Sequence, residues 1–391
     1  MIEAYITPTN LAWARTRAGL TIDELAAKAK VSPVKIGAWE RGEAKPSLKQ
    51  IETIATQLHI PLGYLFLSVP PAESPSIPDL RSGYAGRGRA MSLELREVVD
   101  AARRRQEAYR EIVEEDGAEH LPFVGSFDTN GDPAALAKDI RRVLGIDEGF
   151  ARKSRTWTDQ IGRLARAAGE AGILVFRSSI VGGNTHRPLS VDEFRGFALC
   201  DALAPVVFVN AHDYKAAQVF TLGHELAHIW IGESGLSNQA VDAFASGTDI
   251  EIEALCDKAA VELLVPSDSF LAEWGRDATP AAEVQRLAAR YRVSAIVILR
   301  RALELGVIHR RTFADLLEEA RGYRSEQDDQ GEESGGNFYN SFAARNGERF
   351  PAVVLGALRG GRILYREAAR LLDVRPSTVR ELEDRGSAKV G

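Results

Sequence analysis

Four prolines fall within nine positions in Pro70-Pro71-Ala72-Glu73-Ser74-Pro75-Ser76-Ile77-Pro78. Proline donates no backbone N–H and holds the residue before it extended, so this stretch can form neither a helix nor an inner strand. The chain must therefore fold as at least two units joined by a linker. A second break is predicted at Ser325-Glu326-Gln327-Asp328-Asp329-Gln330-Gly331-Glu332-Glu333-Ser334-Gly335-Gly336, which is polar, acidic and glycine-rich. The 391 residues suffice for two to four domains at roughly 100–200 residues each. A hydrophobic share of 45% excludes a disordered chain.

Charge follows these divisions. The chain carries −6 overall, yet residues 1–70 hold eight Lys/Arg against six Asp/Glu, a net of +2. A surface that binds nucleic acid throughout is excluded, whereas one small basic module is allowed. Apolar runs such as Ala295 to Leu299 fall far short of the roughly 18–20 residues that cross a bilayer. The opening Met1-Ile2-Glu3-Ala4-Tyr5 lacks the basic and apolar regions of a secretory signal. Only Cys200 and Cys256 occur, so a disulfide framework is not expected. Together these features predict a cytoplasmic protein with no membrane association.

The pattern along the chain is mainly helical. Leu93 to Glu115 reads as a helix dense in Arg and Glu at i,i+4 spacing. From about Trp157 the pattern becomes α/β: a helix over Thr158 to Ala171, then strands at Gly172 to Phe176, Phe194 to Leu199 and Pro205 to Asn210. A helical block runs from about Ala281 to Ala320, and a short helical module spans about Phe338 to Leu382. One spacing recurs three times. Leu25-Ala26, Leu287-Ala288 and Ala368-Ala369 each begin six positions before a valine (Val31, Val293, Val374), and an apolar residue follows five later (Ile36, Ile298, Val379). This is the spacing of two short helices joined by a tight turn, and any packed helical hairpin can share it.

The strongest chemical signal is His224-Glu225-Leu226-Ala227-His228, inside an amphipathic stretch from Lys215 to Trp230 that contains no proline and one glycine. On a helix, positions i and i+4 share a face, so both imidazoles can reach one cation. Glu225 can then approach water on the ion without ligating it, which is what a zinc hydrolase needs of a general base. The competing reading is two surface histidines. A third ligand must lie downstream, and Ile229-Trp230-Ile231-Gly232-Glu233-Ser234 offers no further histidine. The next helix, from near Asp249 to Pro266, places Glu253 and Asp257 one turn apart on a face with Ala260 and Leu264. Glu253 is the expected ligand, with Asp257 orienting an imidazole. Glu251 and Glu262 fall on other faces and are expected in solvent.

These residues, followed by Leu263-Leu264-Val265-Pro266 and preceded by Phe194-Arg195-Gly196-Phe197, Val207-Phe208-Val209-Asn210 and Phe220-Thr221-Leu222-Gly223, resemble the ImmA/IrrE family of metallo-endopeptidases over about residues 155–310. The site of that family is similar to the gluzincin, or thermolysin-like, site. The resemblance implies Zn2+, with Mn2+ as the second choice, and cleavage of a peptide bond in a partner protein, typically a DNA-binding repressor. An extended substrate in such sites pairs with a sheet edge, for which Val206 to Asn210 is the expected strand. His186, His212 and Tyr214 are candidates for stabilising the oxyanion.

At the N-terminus, Thr21-Ile22-Asp23-Glu24 is a capping box that opens a helix through Lys30, and Ser32-Pro33 opens the next, which ends at Trp39-Glu40-Arg41-Gly42. With Ser47 to Leu58 and Leu62 to Leu67, the segment resembles the Cro/lambda-repressor (XRE) helix-turn-helix family over about residues 8–68. The family implies that Ser32 to Trp39 enters the major groove. Ile22, Pro33 and Gly37 depart from the family's usual polar residues. Lys35 remains to reach base edges, and Arg41, Lys45 and Lys49 to hold phosphate. The competing reading is a dimerisation or protein-docking module, which would make the chain a homodimer.

The expected fold class is a multidomain α and α+β protein. It comprises a helix-turn-helix at 1–69, a Pro-rich linker at 70–92, a helical connector at 93–150 and a metallopeptidase core with a small sheet at 151–275. A helical subdomain at 276–323, an acidic flexible linker at 324–337 and a C-terminal helical module at 338–391 follow. Two functions fit. One is a regulator that joins a DNA-binding-type module to a zinc-dependent peptidase acting on a partner such as a repressor. The order of modules also resembles long XRE/ImmA-type proteins regarded as antitoxins, which implies binding and neutralisation of a small PIN-like ribonuclease toxin with the peptidase-like domain as scaffold. A sensor of metal or a small ligand is a third reading.

Overall fold

A computed structural model describes residues 3–71, 91–237, 248–275, 277–328 and 338–387. Residues 72–90 of the expected proline-rich linker and 329–337 of the acidic stretch lie outside it. The described chain forms two compact units, one of residues up to 71 with 91–97, the other from 98 onward.

The first unit contains α1 (Pro8–Arg17), α2 (Ile22–Ala29), α3 (Pro33–Glu40), α4 (Leu48–Gln57) and a 3-10 turn at Leu62–Phe66. Two reciprocal caps start α2 and α4: the hydroxyls of Thr21 and Ser47 accept from the N–H of Glu24 and Gln50, whose side chains accept in return. Leu11, Leu25, Ile36, Ile51, Ile54 and Leu65 are wholly buried and form its core, each contributing about 1.5–3 kcal/mol of burial. Arg15 ties α1 to α3 through a two-pronged bond to Glu40 at 2.7 and 3.0 Å.

Helix α5 (Leu93–Glu115) begins in the first unit and ends in the second. The second unit continues with α6 (Pro133–Leu144), α7 (Trp157–Glu170), β1 (Leu174–Ser178), β2 (Ile180–Val181), β3 (Asn184–Pro188), β4 (Gly196–Leu199), β5 (Val206–Asn210), α8 (Lys215–Ile231), β6 (Gly235–Ser237) and α9 (Thr248–Leu264). It closes with α10 (Ser267–Glu273), α11 (Pro280–Tyr291), α12 (Ala295–Glu304), α13 (Arg310–Asp328), α14 (Phe338–Asn346), α15 (Arg349–Arg359), α16 (Tyr365–Leu372) and α17 (Pro376–Ser387). No helix among the described residues is long and apolar enough to cross a membrane. The α and α+β class stands, with helix-turn-helix, small mixed sheet and helical C-terminal region in the expected order.

Among the described residues, four strands form the main sheet in the order β1-β5-β4-β6, with β1 parallel to β5 and the other pairs antiparallel. Alternation gives the sheet two apolar faces. Val175, Ala198, Val207 and Val209 join the core that contains α7 and α8, while Phe197 and Phe208 stack on the other face at 5.0 Å. Strand β5 is thus interior, all five of its residues buried, and the expectation that Val206 to Asn210 forms the sheet edge is wrong. Its continuous apolar run is the mark of a strand covered on both faces and both sides; the edges are β1 and β6.

Helix α8 is buried from Ala217 to Ile231 and forms the centre of this unit. Helices α6, α11, α12 and α13 contribute Leu136, Ile140, Val284, Leu287, Val297 and Phe313 to the same core. They pack on the same core as α8 and α9. Two further expectations change. Helix α13 continues through Asp328, five residues into the acidic stretch, because helix-favouring Arg, Glu and Gln precede the first glycine, Gly331. Glu262, expected in solvent, pairs with Arg301 and accepts from Ser267 Oγ at 2.5 Å, since the end of α9 meets α12 there. The C-terminal helices sit on α5, α7 and β1: Arg349 donates to the Tyr109 hydroxyl at 2.5 Å, Arg362 pairs with Asp116 at 2.8 Å, and Phe350 meets the Phe176 ring edge-on.

Candidate metal centre and basic face

Helix α8 presents His224 and His228 on one side, and α9, packed against it, supplies Glu253. The two imidazole Nε2 atoms are 3.1 Å apart. Glu253 places one carboxylate oxygen 3.3 Å from Nε2 of His224 and the other 3.1 Å from Nε2 of His228, with each of the three side chains at most 3% exposed. Neither Glu253 oxygen makes a hydrogen bond of normal geometry among the described residues. Buried polar groups do not stay unsatisfied without reason, and these three donors surround a single point. A tetrahedral ion with bonds of about 2.0–2.1 Å holds its ligands about 3.3 Å apart. The observed spacing is that of such an edge, so the side chains present fit a divalent cation.

The surroundings orient the donors. Asp257 lies 3.0 Å from His224 Nδ1, which keeps that nitrogen's proton and turns the Nε2 lone pair towards Glu253. Arg300 on α12 donates to the other Asp257 oxygen at 3.3 Å. Burial disfavours charge on His224, but the carboxylates of Glu253 and Asp257 outweigh it and raise its pKa well above the ordinary imidazole value. Burial likewise pushes Glu253 up, and the two imidazoles more than reverse this, to about 2. The cluster favours positive charge at its middle, whether a proton or a metal ion.

Glu225 is fully buried one residue beyond His224. Its carboxylate lies against β4: a Cβ on Gly196 would come within 2.8 Å of Glu225 Oε1 and 2.6 Å of Thr221 Cγ2. Only glycine lets the strand approach the helix this closely. The two thiols are inert bystanders. Burial pushes Cys200 up to about 12 and Cys256 well above its usual value, so neither offers a thiolate. Of the oxyanion candidates, His186 lies exposed on β3, His212 is exposed after β5, and Tyr214 caps α8.

The structure brings His224, His228, Glu253 and Asp257 into one cluster and leaves the basic candidates elsewhere. Lys35 is exposed on α3 and Lys49 on α4. Arg41 is held by Glu43 at 2.7 Å, and the Lys45 ammonium sits 3.8 Å above the Tyr5 ring. Two contributors escaped the sequence reading. Arg300 stands 43 residues beyond Asp257, and no local spacing links them. Gly196 did carry a signal, a glycine inside an apolar strand.

Comparison with known families agrees with this geometry. The Peptidase_M78 model, described as the IrrE N-terminal-like domain, matches residues 168–303. A helix-turn-helix model matches residues 11–65, and a domain of unknown function, DUF8813, matches residues 346–385. No curated protein matches the chain. The chain thus joins an XRE-type helix-turn-helix to an ImmA/IrrE-like peptidase domain, which supports a DNA-binding regulator with a protease-like domain.

Proposed function

We propose that the chain is a zinc-dependent peptidase coupled to a DNA-binding module, and that it cleaves a peptide bond in a partner protein such as a repressor. The spacing of His224, His228 and Glu253, three buried donors 3.1–3.3 Å apart, carries this reading. A zinc ion held there supplies Lewis acidity, polarising a carbonyl and lowering the pKa of water. Asp257 holds the His224 tautomer, with Arg300 fixing Asp257 in turn. Glu225 takes the proton from the attacking water and passes it to the leaving amine, as general base and then acid. Manganese is the second candidate ion.

Three measurements test the proposal. Elemental analysis should find about one zinc per chain. Glu225→Gln should keep that metal yet lower cleavage of the partner by a factor of about 10² or more. Undiminished cleavage by this variant sinks the assignment of Glu225. If the metal-loaded variant does not cleave but still neutralises a partner ribonuclease, the domain is a scaffold and the antitoxin reading replaces proteolysis.

A further inference from the structure

The recurrent spacing in the sequence is a recurrent structure. Helix pairs α2–α3, α11–α12 and α16–α17 turn at a residue in the left-handed region: Lys30 at φ 55, ψ 44; Arg292 at φ 53, ψ 45; Asp373 at φ 54, ψ 51. In each, the next valine N–H bonds back five residues, from Val31 to Ala26, Val293 to Ala288 and Val374 to Ala369, at 3.0 to 3.2 Å. In each, the second helix opens with a three-residue return, from Lys35 to Ser32, Val297 to Ser294 and Thr378 to Arg375. The buried positions also correspond: Leu25, Ala26, Ala29 and Ile36 in the first pair match Ala368, Ala369, Leu372 and Val379 in the third.

The three second helices differ in what they show to solvent. Helix α12 buries Ile296, Val297 and Leu299 and can read nothing. Helix α3 exposes Pro33, Val34 and Lys35, a poor set for hydrogen bonding to base edges. Helix α17 and the residue before it expose Arg375, Pro376, Ser377, Arg380 and Glu381. Arg366, Arg370 and Arg375 are exposed, and their side chains form no ion pair, hydrogen bond or ring contact among the described residues. Residues 338–387 hold nine arginines against six carboxylates, a net of +3 in a chain of −6. The acidic groups do not cancel this face entirely: Glu383 accepts from the Tyr365 hydroxyl, Asp373 pairs with Arg345 and Glu367 caps α16.

We propose that α16–α17 is a second DNA-binding element, with Arg366 and Arg370 on phosphates and Arg375 and Ser377 presented to base edges in the major groove of duplex DNA. Arginine forks suit guanine and phosphate oxygens, and the hydroxyl suits any base, so this element is better equipped for reading than α3. The inference goes beyond the proposed function and does not depend on the metal centre.

The test uses the full chain, titrated against a labelled mixed-sequence DNA duplex by fluorescence anisotropy over a range of salt. Substituting Arg366→Ala, Arg370→Ala and Arg375→Ala together should weaken binding and lower the slope of log affinity against log salt by about 2, since each of the two lost phosphate contacts removes about 0.9. The matching lysine substitutions should restore most of that slope, and the melting temperature should not move. Lys35→Ala with Lys49→Ala measures the N-terminal contribution separately. The proposal is overturned if the triple variant binds like the parent while the N-terminal variant does not, if the parent fails to bind duplex at low salt, or if single-stranded RNA displaces the duplex more readily than DNA does.

Discussion

Helix pairs α2–α3 and α11–α12 have the same backbone and opposite environments. Both turn on a left-handed basic residue, Lys30 or Arg292, and both seat an isoleucine, Ile36 or Ile298, in the core. Position by position, however, exposed Lys35 corresponds to wholly buried Val297, and half-buried Ala38 to Arg300. In the first unit the pair leaves α3 on the surface, where a groove could receive it. In the second it is walled in, and its outward residue Arg300 reaches Asp257 and through it His224. One motif therefore leaves its second helix open to solvent in one place and braces the candidate metal centre in the other. The side chains on the outer face of the second helix make the difference.

Exchanging those side chains is the severest test of this contrast. Val297→Lys, which writes the N-terminal residue into the buried copy, leaves an unpaired ammonium in an apolar core and should cost about 4 kcal/mol or more. The reciprocal Lys35→Val should change stability by no more than about 0.5 kcal/mol. Urea unfolding of the two variants checks this, and similar losses would break the comparison.

A smaller effect is expected at Arg300. Arg300→Met preserves the apolar stem, removes the donor to Asp257, and should weaken metal binding by about 10- to 100-fold in a chelator competition. An unchanged affinity would mean that α12 supports the centre by packing alone.

Acid should act on the same cluster. The raised pKa of His224 keeps a proton on the ion-free centre, and an incoming ion must expel it. Metal affinity should then fall by up to about tenfold per pH unit below that raised value. Titration calorimetry in buffers of different ionisation enthalpy should register proton release. In the ion-free protein the sign is opposite: the shift adds stability that is complete below the ordinary imidazole range and is lost as pH rises through the raised value.

The smallest expected effect concerns the shared turn. Lys30→Gly relieves a left-handed side-chain residue and should raise stability by no more than about 1 kcal/mol; Arg292→Gly and Asp373→Gly relieve the same strain but also lose the bond to the Ser154 carbonyl and the pair with Arg345, and should gain less. Thermal melts that show a gain at one site and a loss at another would show that the three turns are not equivalent.

Much of the candidate site was legible because it is local. His224, Glu225 and His228 lie within one turn of a helix, and the Glu253 to Asp257 spacing follows from the same geometry. The sequence reading therefore placed α8 and α9 within one or two residues. Long-range pairing left no such trace. The position of β5 inside the sheet depends on β1 and β4, and the contact of Arg300 with Asp257 depends on how α12 packs against α9. The role of Glu262 was misjudged for the same reason, since periodicity reports a helix face and not what lies across from it.

Helix caps, turn residues and apolar spacing are short-range, and they determined three helix-turn-helix pairs, a helix with two candidate metal ligands on one face and a division of charge. Burial is settled only when distant segments compete for the same apolar surface. Tertiary structure thus decided that α12 would be enclosed and α17 left open, and that two imidazoles and a carboxylate would converge to within 3.3 Å.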